Sequence, residues 1–188
     1  MKNYIKNHIK DSISTKQLIL DNEEILSNIQ NIAQIIINAY KKDNKVITAG
    51  NGGSAADAQH IAAELVSKFL IERPPINAVA LTTNTSVLTA IGNDYSNDII
   101  FSRQVEAYGR KGDVFIAIST SGNSTNIINA LKEAKKQGII TVGLTGNAKC
   151  KMDSLCDYLI KVPSDSTPII QESHIMIGHI ICALVEKG

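Results

Sequence analysis

Five short runs of β-branched and aliphatic residues recur along the chain, at 45–49 (KVITA), 76–81 (INAVAL), 113–118 (DVFIAI), 139–144 (IITVGL) and 158–162 (YLIKV). Such runs read as strands with apolar side chains on both faces, and both faces must then be covered. The stretches near 54–67, 84–92, 98–109, 123–137 and 167–187 read as helices. Strands that alternate with helices in this way make a parallel sheet, because parallel strands need long crossover connections. The pattern therefore predicts an α/β fold in which helices cover both faces of the sheet. Pro74-Pro75 and Gly112-Asp113 punctuate two of the strand entries.

Ahead of the first strand, residues 5 to 42 are helical in pattern. Ile5, Ile9 and Ile13 recur every fourth residue, and Leu18, Ile25, Ile29, Ile32, Ile36 and Tyr40 recur at sevens, fours and threes. This is one long amphipathic helix or two in succession. Ile35-Ile36-Ile37 points to burial on two sides of it. No linker divides the 188 residues, so 1–188 is expected to be a single domain. Hydrophobic residues at 44% supply a sizeable core. A net charge of +1 with no basic block argues against nucleic acid as a partner, and the 4% aromatic content without Trp argues against a base-stacking surface. Cys150, Cys156 and Cys182 lack metal or redox spacing and read as reduced thiols. The start (MKNYIKNHIKDSIS) is too polar for a signal peptide, and the apolar runs look too short to span a bilayer. A cytoplasmic protein with no membrane partner is expected.

Two loops have the composition of ligand sites. In VITAGNGGSAADAQ, Gly50, Gly52 and Gly53 permit a tight turn and a close approach of backbone to ligand. Ser54 and Asp57 are spaced as a capping box, which puts the helix start near Ser54. Its N–H groups and the helix start favour an anion or sugar oxygens, with a turn that binds nothing as the other reading; it is neither a Walker A loop nor a clean dinucleotide fingerprint. In FIAISTSGNSTNII, Ser119, Thr120, Ser121 and Ser124 offer four hydroxyls around Gly122, before a helix from about Asn123. One cap needs one hydroxyl, so four point to phosphate oxygens. Both loops would lie at the carboxyl ends of their strands, where open α/β sheets bind ligands.

His60 and Glu64, four residues apart, share a helix face. They could bind a metal, transfer protons, or form an ordinary surface pair. Further on, Gln171 and His179 lie two turns apart on one stripe, while Glu172 and His174 are rival choices that spacing alone does not separate.

Together the blocks AGNGGSAADAQHIAAEL, ERPPINAVAL, LTAIGNDY, GDVFIAISTSGNS and IQESH with a later His resemble the sugar isomerase (SIS) domain family, and within it the phosphoheptose isomerases, over nearly the whole chain. The resemblance implies a three-layer α/β/α sandwich around a five-stranded parallel sheet. It also implies a homotetramer with active sites at subunit interfaces, to which the N-terminal helical region 1–42 contributes. The implied reaction converts sedoheptulose 7-phosphate to D-glycero-D-manno-heptose 7-phosphate, opening the route to ADP-heptose precursors of lipopolysaccharide or capsule. By position, Asn51, Gly52 and Gly53 would contact the sugar, Asn93 and Asp94 its hydroxyls, and Ser119, Thr120, Ser121 and Ser124 the phosphate. Glu64 and His179 would flank C1 and C2 as base and acid. His60, Glu64, Gln171 and His179 would hold a zinc ion, with Gln171 also touching substrate. Two places depart from the family: Ile169 and Lys68 stand where relatives often carry Arg, and Lys lacks the bidentate fork. Related SIS tetramers that bind the replication initiator are similar in the loops but lack the acid and base. Other SIS sugar-phosphate isomerases, and SIS sugar-phosphate sensors, are the remaining alternatives.

Overall fold

A computed structural model describes residues 1–188. In chain order the elements are α1 (Lys2–Leu20), α2 (Glu23–Tyr40), β1 (Val46–Gly50), α3 (Gly53–Val66), β2 (Ala78–Ala80), α4 (Thr85–Asp94), α5 (Ser102–Tyr108), β3 (Val114–Ile118), α6 (Thr125–Lys136), β4 (Ile140–Gly146), β5 (Tyr158–Val162) and α7 (Thr167–Val185). Short 3-10 turns occupy Asn97–Ile99 and Lys151–Ser154. The stretch read as one helix over 98–109 is thus a 3-10 turn followed by the shorter α5.

The five strands form one parallel sheet in the order β2-β1-β3-β4-β5. Side-chain alternation along each strand divides the core in two. Val46, Val114, Ile116, Val142 and Leu144 face a layer that contains α2, α3 and α7. Ile47, Ala49, Phe115 and Ala117 face α5 and α6. The result is the three-layer α/β/α sandwich. Phe115, Ile47 and Leu144 are fully buried, and each such side chain contributes about 1.5–3 kcal/mol. Thr48 is buried in the middle of β1 and donates its hydroxyl to the carbonyl of Ala58 at 2.8 Å, which ties the strand to α3.

The N-terminal region is two helices, broken at Asp21-Asn22. Asn22 caps α2 by accepting from the N–H groups of Glu24 (3.0 Å) and Ile25 (3.1 Å). The run Ile35-Ile36-Ile37 is covered within the chain: Ile36 and Ile37 are buried and Ile35 packs on the same core. Unpartnered apolar surface lies instead on α1, where only Thr15 and Ile19 are buried and Ile5, Ile9 and Ile13 are 56%, 53% and 62% exposed. The apolar runs do include one helix of membrane-spanning length: α7 has 19 residues and a mean hydropathy of 1.4. Its apolarity has a local cause, because it packs against α2, α3 and the sheet and buries nine residues, among them Ile177, Ile181 and Val185.

Candidate active site

The strand order places β1 beside β3, with α3 leaving β1 toward one face and α6 leaving β3 toward the other. The carboxyl ends of these two strands therefore open a crevice at the topological switch point. The two composition-marked loops form its rims.

The first rim begins at Gly50, where an added Cβ would strike the backbone of Ser54. The strand end and the first turn of α3 thus touch, which only glycine permits. Gly52 is the N-cap at φ 56° and ψ −121°, with no side chain to cap the helix. The Ser54–Asp57 capping box does not form. Gly52 starts the helix two residues before Ser54, so Ser54 is buried in the first turn and Asp57 lies beyond it. Gly53 packs on the Gln171 carboxamide, which an added Cβ would hit. That contact brings the start of α7 to the glycine loop.

The second rim turns at Gly122 (φ 63°). Ser119 and Ser124 share a hydrogen bond between hydroxyls at 3.1 Å, and the Ser121 hydroxyl accepts from the N–H of Asn123 at 3.2 Å. Helix α6 starts at Thr125, slightly later than the sequence suggests, and its N-cap Ser124 makes no side-chain capping bond. Its hydroxyl remains directed into the loop. Asn51 and Asn126 join the rims through a reciprocal carboxamide pair at 2.8 and 3.0 Å. Nothing in the local pattern singled out Asn126, the second residue of α6.

A cavity of about 510 Å³ lies beside the glycine loop, with Asn51, Gly52, Thr82, Thr89 and Phe101 among its walls. A second, of about 320 Å³, lies on the hydroxyl loop between Thr120, Ser121, Asn147 and Thr167. Asn93 and Asp94 end α4, bonded to each other at 2.9 Å, just after Gly92 in the wall of the larger cavity.

His60, Glu64 and His179 come together where α3 meets α7, outside the walls of both cavities. His60 Nε2 lies 2.9 Å from His179 Nε2 and 3.2 Å from Glu64 Oε1. One donor atom from each of the three falls within 4.8 Å of the others. The two imidazoles meet edge to face, with ring centroids 5.0 Å apart, and Phe69 stacks on His179 at 5.2 Å and 20°. Two ring nitrogens facing each other need a proton or a cation between them. Tetrahedral donors about 2 Å from a metal stand roughly 3.3 Å apart, so this set fits a divalent ion.

The rivals on α7 each have partners elsewhere. His174 is fully buried with Nε2 3.2 Å from the Thr145 carbonyl, and burial pushes its pKa down to about 4, against the opposing pull of that hydrogen bond. Glu172 accepts from Lys16 at 2.5 Å and from the Ser12 hydroxyl, joining α7 to α1. Neither reaches the His60 cluster. One residue escaped the sequence reading: Asp57 shares the His60–Glu64 face of α3, and its Oδ2 is buried without a partner. Burial raises its pKa to about 6, with His60 pulling the other way. The 57, 60, 64 spacing carried this signal, but the apparent capping box absorbed it.

The SIS domain family model matches residues 13–146. A phosphoheptose isomerase from Aneurinibacillus thermoaerophilus is 61% identical over 188 residues, covering 100% of this chain and 95% of that protein. Phosphoheptose isomerase 2 from Campylobacter jejuni is 58% identical over 187 residues, covering 100% and 93%. Among solved structures, a phosphoheptose isomerase from Neisseria gonorrhoeae superimposes with a TM-score of 0.92 at 41% identity, covering 100% of this chain and 99% of that one. One from Francisella tularensis gives 0.95 at 33%, covering 99% and 98%.

Proposed function

The chain belongs to the SIS domain family, among its phosphoheptose isomerases, and from that premise we propose that it interconverts sedoheptulose 7-phosphate and D-glycero-D-manno-heptose 7-phosphate. The carrying observation is the His60, Glu64 and His179 cluster on α3 and α7, the two helices whose starts meet at the glycine loop of the switch-point crevice. Aldose–ketose isomerisation moves a proton between adjacent carbons through an enediol. It needs a base at carbon and a proton carrier at oxygen. Glu64 takes the carbon-bound proton, and His179 handles the proton of the neighbouring hydroxyl. Ser119, Thr120, Ser121 and Ser124, with the start of α6, hold the phosphate. Asn51, Gly52 and Gly53 close on the sugar, Gln171 approaches from α7, and Asn93 and Asp94 reach the remaining hydroxyls.

His60, Glu64 and His179, joined by Gln171, would hold zinc; the ion supplies a Lewis acid that stabilises the developing oxyanion. In this reading the enzyme is a cytoplasmic homotetramer with sites at subunit interfaces, and its product feeds ADP-heptose precursors of lipopolysaccharide or capsule. The deciding experiment is turnover of C5, C6 and C7 ketose phosphates, followed by NMR for aldose formation. The C7 substrate is expected to be preferred. Equal or greater turnover of the shorter ketoses would move the assignment to another sugar-phosphate isomerase, and no turnover of any would remove it.

A further inference from the structure

Glu186 follows α7 directly, seven residues after His179, and its side chain is 0% exposed. A carboxylate hidden from water at the carbonyl end of a helix is unfavourably placed on two counts. It is compensated by three consecutive amides: the N–H groups of Phe69, Leu70 and Ile71 donate to it at 2.5, 2.7 and 3.2 Å. Burial alone would raise its pKa. The Leu70, Phe69 and Ile71 amides and the Arg73 guanidinium outweigh that and hold it below the usual carboxylate range.

Arg73 Nε stands 3.3 Å from Glu186 Oε1. Its other nitrogens donate to the carbonyls of Glu64 (2.8 Å), Leu65 (2.8 Å) and Ser67 (3.2 Å), closing the end of α3. One ion pair therefore fastens together the end of the helix bearing Glu64, the turn after it, and the end of the helix bearing His179. The turn is not held by its own burial, because Leu70 and Ile71 are 68% and 42% exposed. Its contribution to the site is Phe69, stacked on one face of the His179 ring, while His60 meets that ring from another side.

We propose that Glu186 is a positioning residue for His179, acting through the 69–71 amides and the Phe69 ring. The proposal rests on the reading of His179 as a reacting group. With the amides clamped, Phe69 lies flat on the imidazole and limits its rotation toward His60 and Glu64. With the clamp released, the turn is free to lift and the imidazole samples unproductive rotamers.

The test combines kinetics on sedoheptulose 7-phosphate with the side-chain NMR signals of His179 in the metal-free protein. Glu186→Gln and Phe69→Leu are each expected to lower kcat about tenfold with KM within about twofold, as loss of an orienting partner does. Both should shift the His179 Hε1 resonance in the same direction, because Phe69→Leu removes the stacked ring and Glu186→Gln lets it lift away. Phe69→Tyr, which keeps the ring, should recover most of the loss seen with Leu. The double variant Phe69→Leu/Glu186→Gln should be no slower than the slower single variant, since the two act in series. Multiplicative losses, wild-type kcat in folded Glu186→Gln, or lost kcat with an unmoved His179 signal would each overturn the proposal. Should Glu186→Gln fail to fold, Glu186→Asp, whose shorter arm draws the carboxylate off the amides, is read the same way. If the wild type turns over no sugar phosphate, the functional reading falls, and the His179 resonance still decides whether Glu186 positions the ring.

Discussion

Glu64 has two roles assigned to it, proton acceptor and metal ligand, and one substitution separates them. Its side chain meets His60 at 3.2 Å and is only partly shielded, so Glu64→Gln should leave the melting temperature within a few degrees of wild type. Turnover should fall by roughly 10²–10⁴-fold, the usual loss when a general base is removed. Metal content measured on the same sample assigns the cause. Lost turnover with the metal retained marks the base, and lost turnover with the metal gone marks the ligand. Turnover near wild type would remove Glu64 from both roles. The pairing of His60 with Glu64 was legible because four residues make one helical turn. That His179 joins them was implied by the family resemblance and not by spacing, because it depends on how α3 packs against α7. Asp57 was misread for a related reason: Ser54 and Asp57 have capping-box spacing, but Gly52 starts the helix two residues before Ser54.

At the level of elements, α7 shows how one helix serves core and site with different faces. Its buried face carries His174, neutral and bonded to the carbonyl of Thr145 at the end of β4. An imidazole of ordinary pKa 6.5 in the unfolded chain and about 4 in the folded one binds its proton first in the unfolded state. Stability is therefore fully present above pH 6.5 and declines as pH falls toward 4, by about 2 kcal/mol at pH 5 for a shift of this size. His174→Gln can still donate to Thr145 but cannot titrate. Its melting temperature should change less between pH 7 and 5 than that of the wild type, and parallel slopes would show that other groups set the acid response. The sheet was readable because each strand is a short β-branched run covered on both faces. The ends of the helices were harder to read. Asn22 divides α1 from α2 by a side-chain cap, and a periodicity that continues across it gives no sign of the break.

For the molecule as a whole, α1 is the element that the chain alone does not account for. A helix of 19 residues that buries only Thr15 and Ile19 gains little from its own packing, and packing of an apolar face is where most helical stability in proteins comes from. The Lys16–Glu172 pair and the Ser12 hydroxyl tether one side of it to α7. Ile5, Ile9 and Ile13 form a continuous apolar stripe at four-residue spacing that faces solvent. Exposed stripes of this kind mark interfaces, and in the proposed homotetramer the cover is the same helix, or another surface, of a second copy. Ile9→Glu/Ile13→Glu places charges in that stripe without disturbing a residue of the His60 cluster. Sedimentation should then report species smaller than a tetramer. If the sites are completed across subunit boundaries, kcat should fall with the tetramer fraction and recover at high protein concentration. A variant that sediments as the wild type does would place the interface elsewhere. A dissociated variant with full turnover would show instead that one chain carries the whole site.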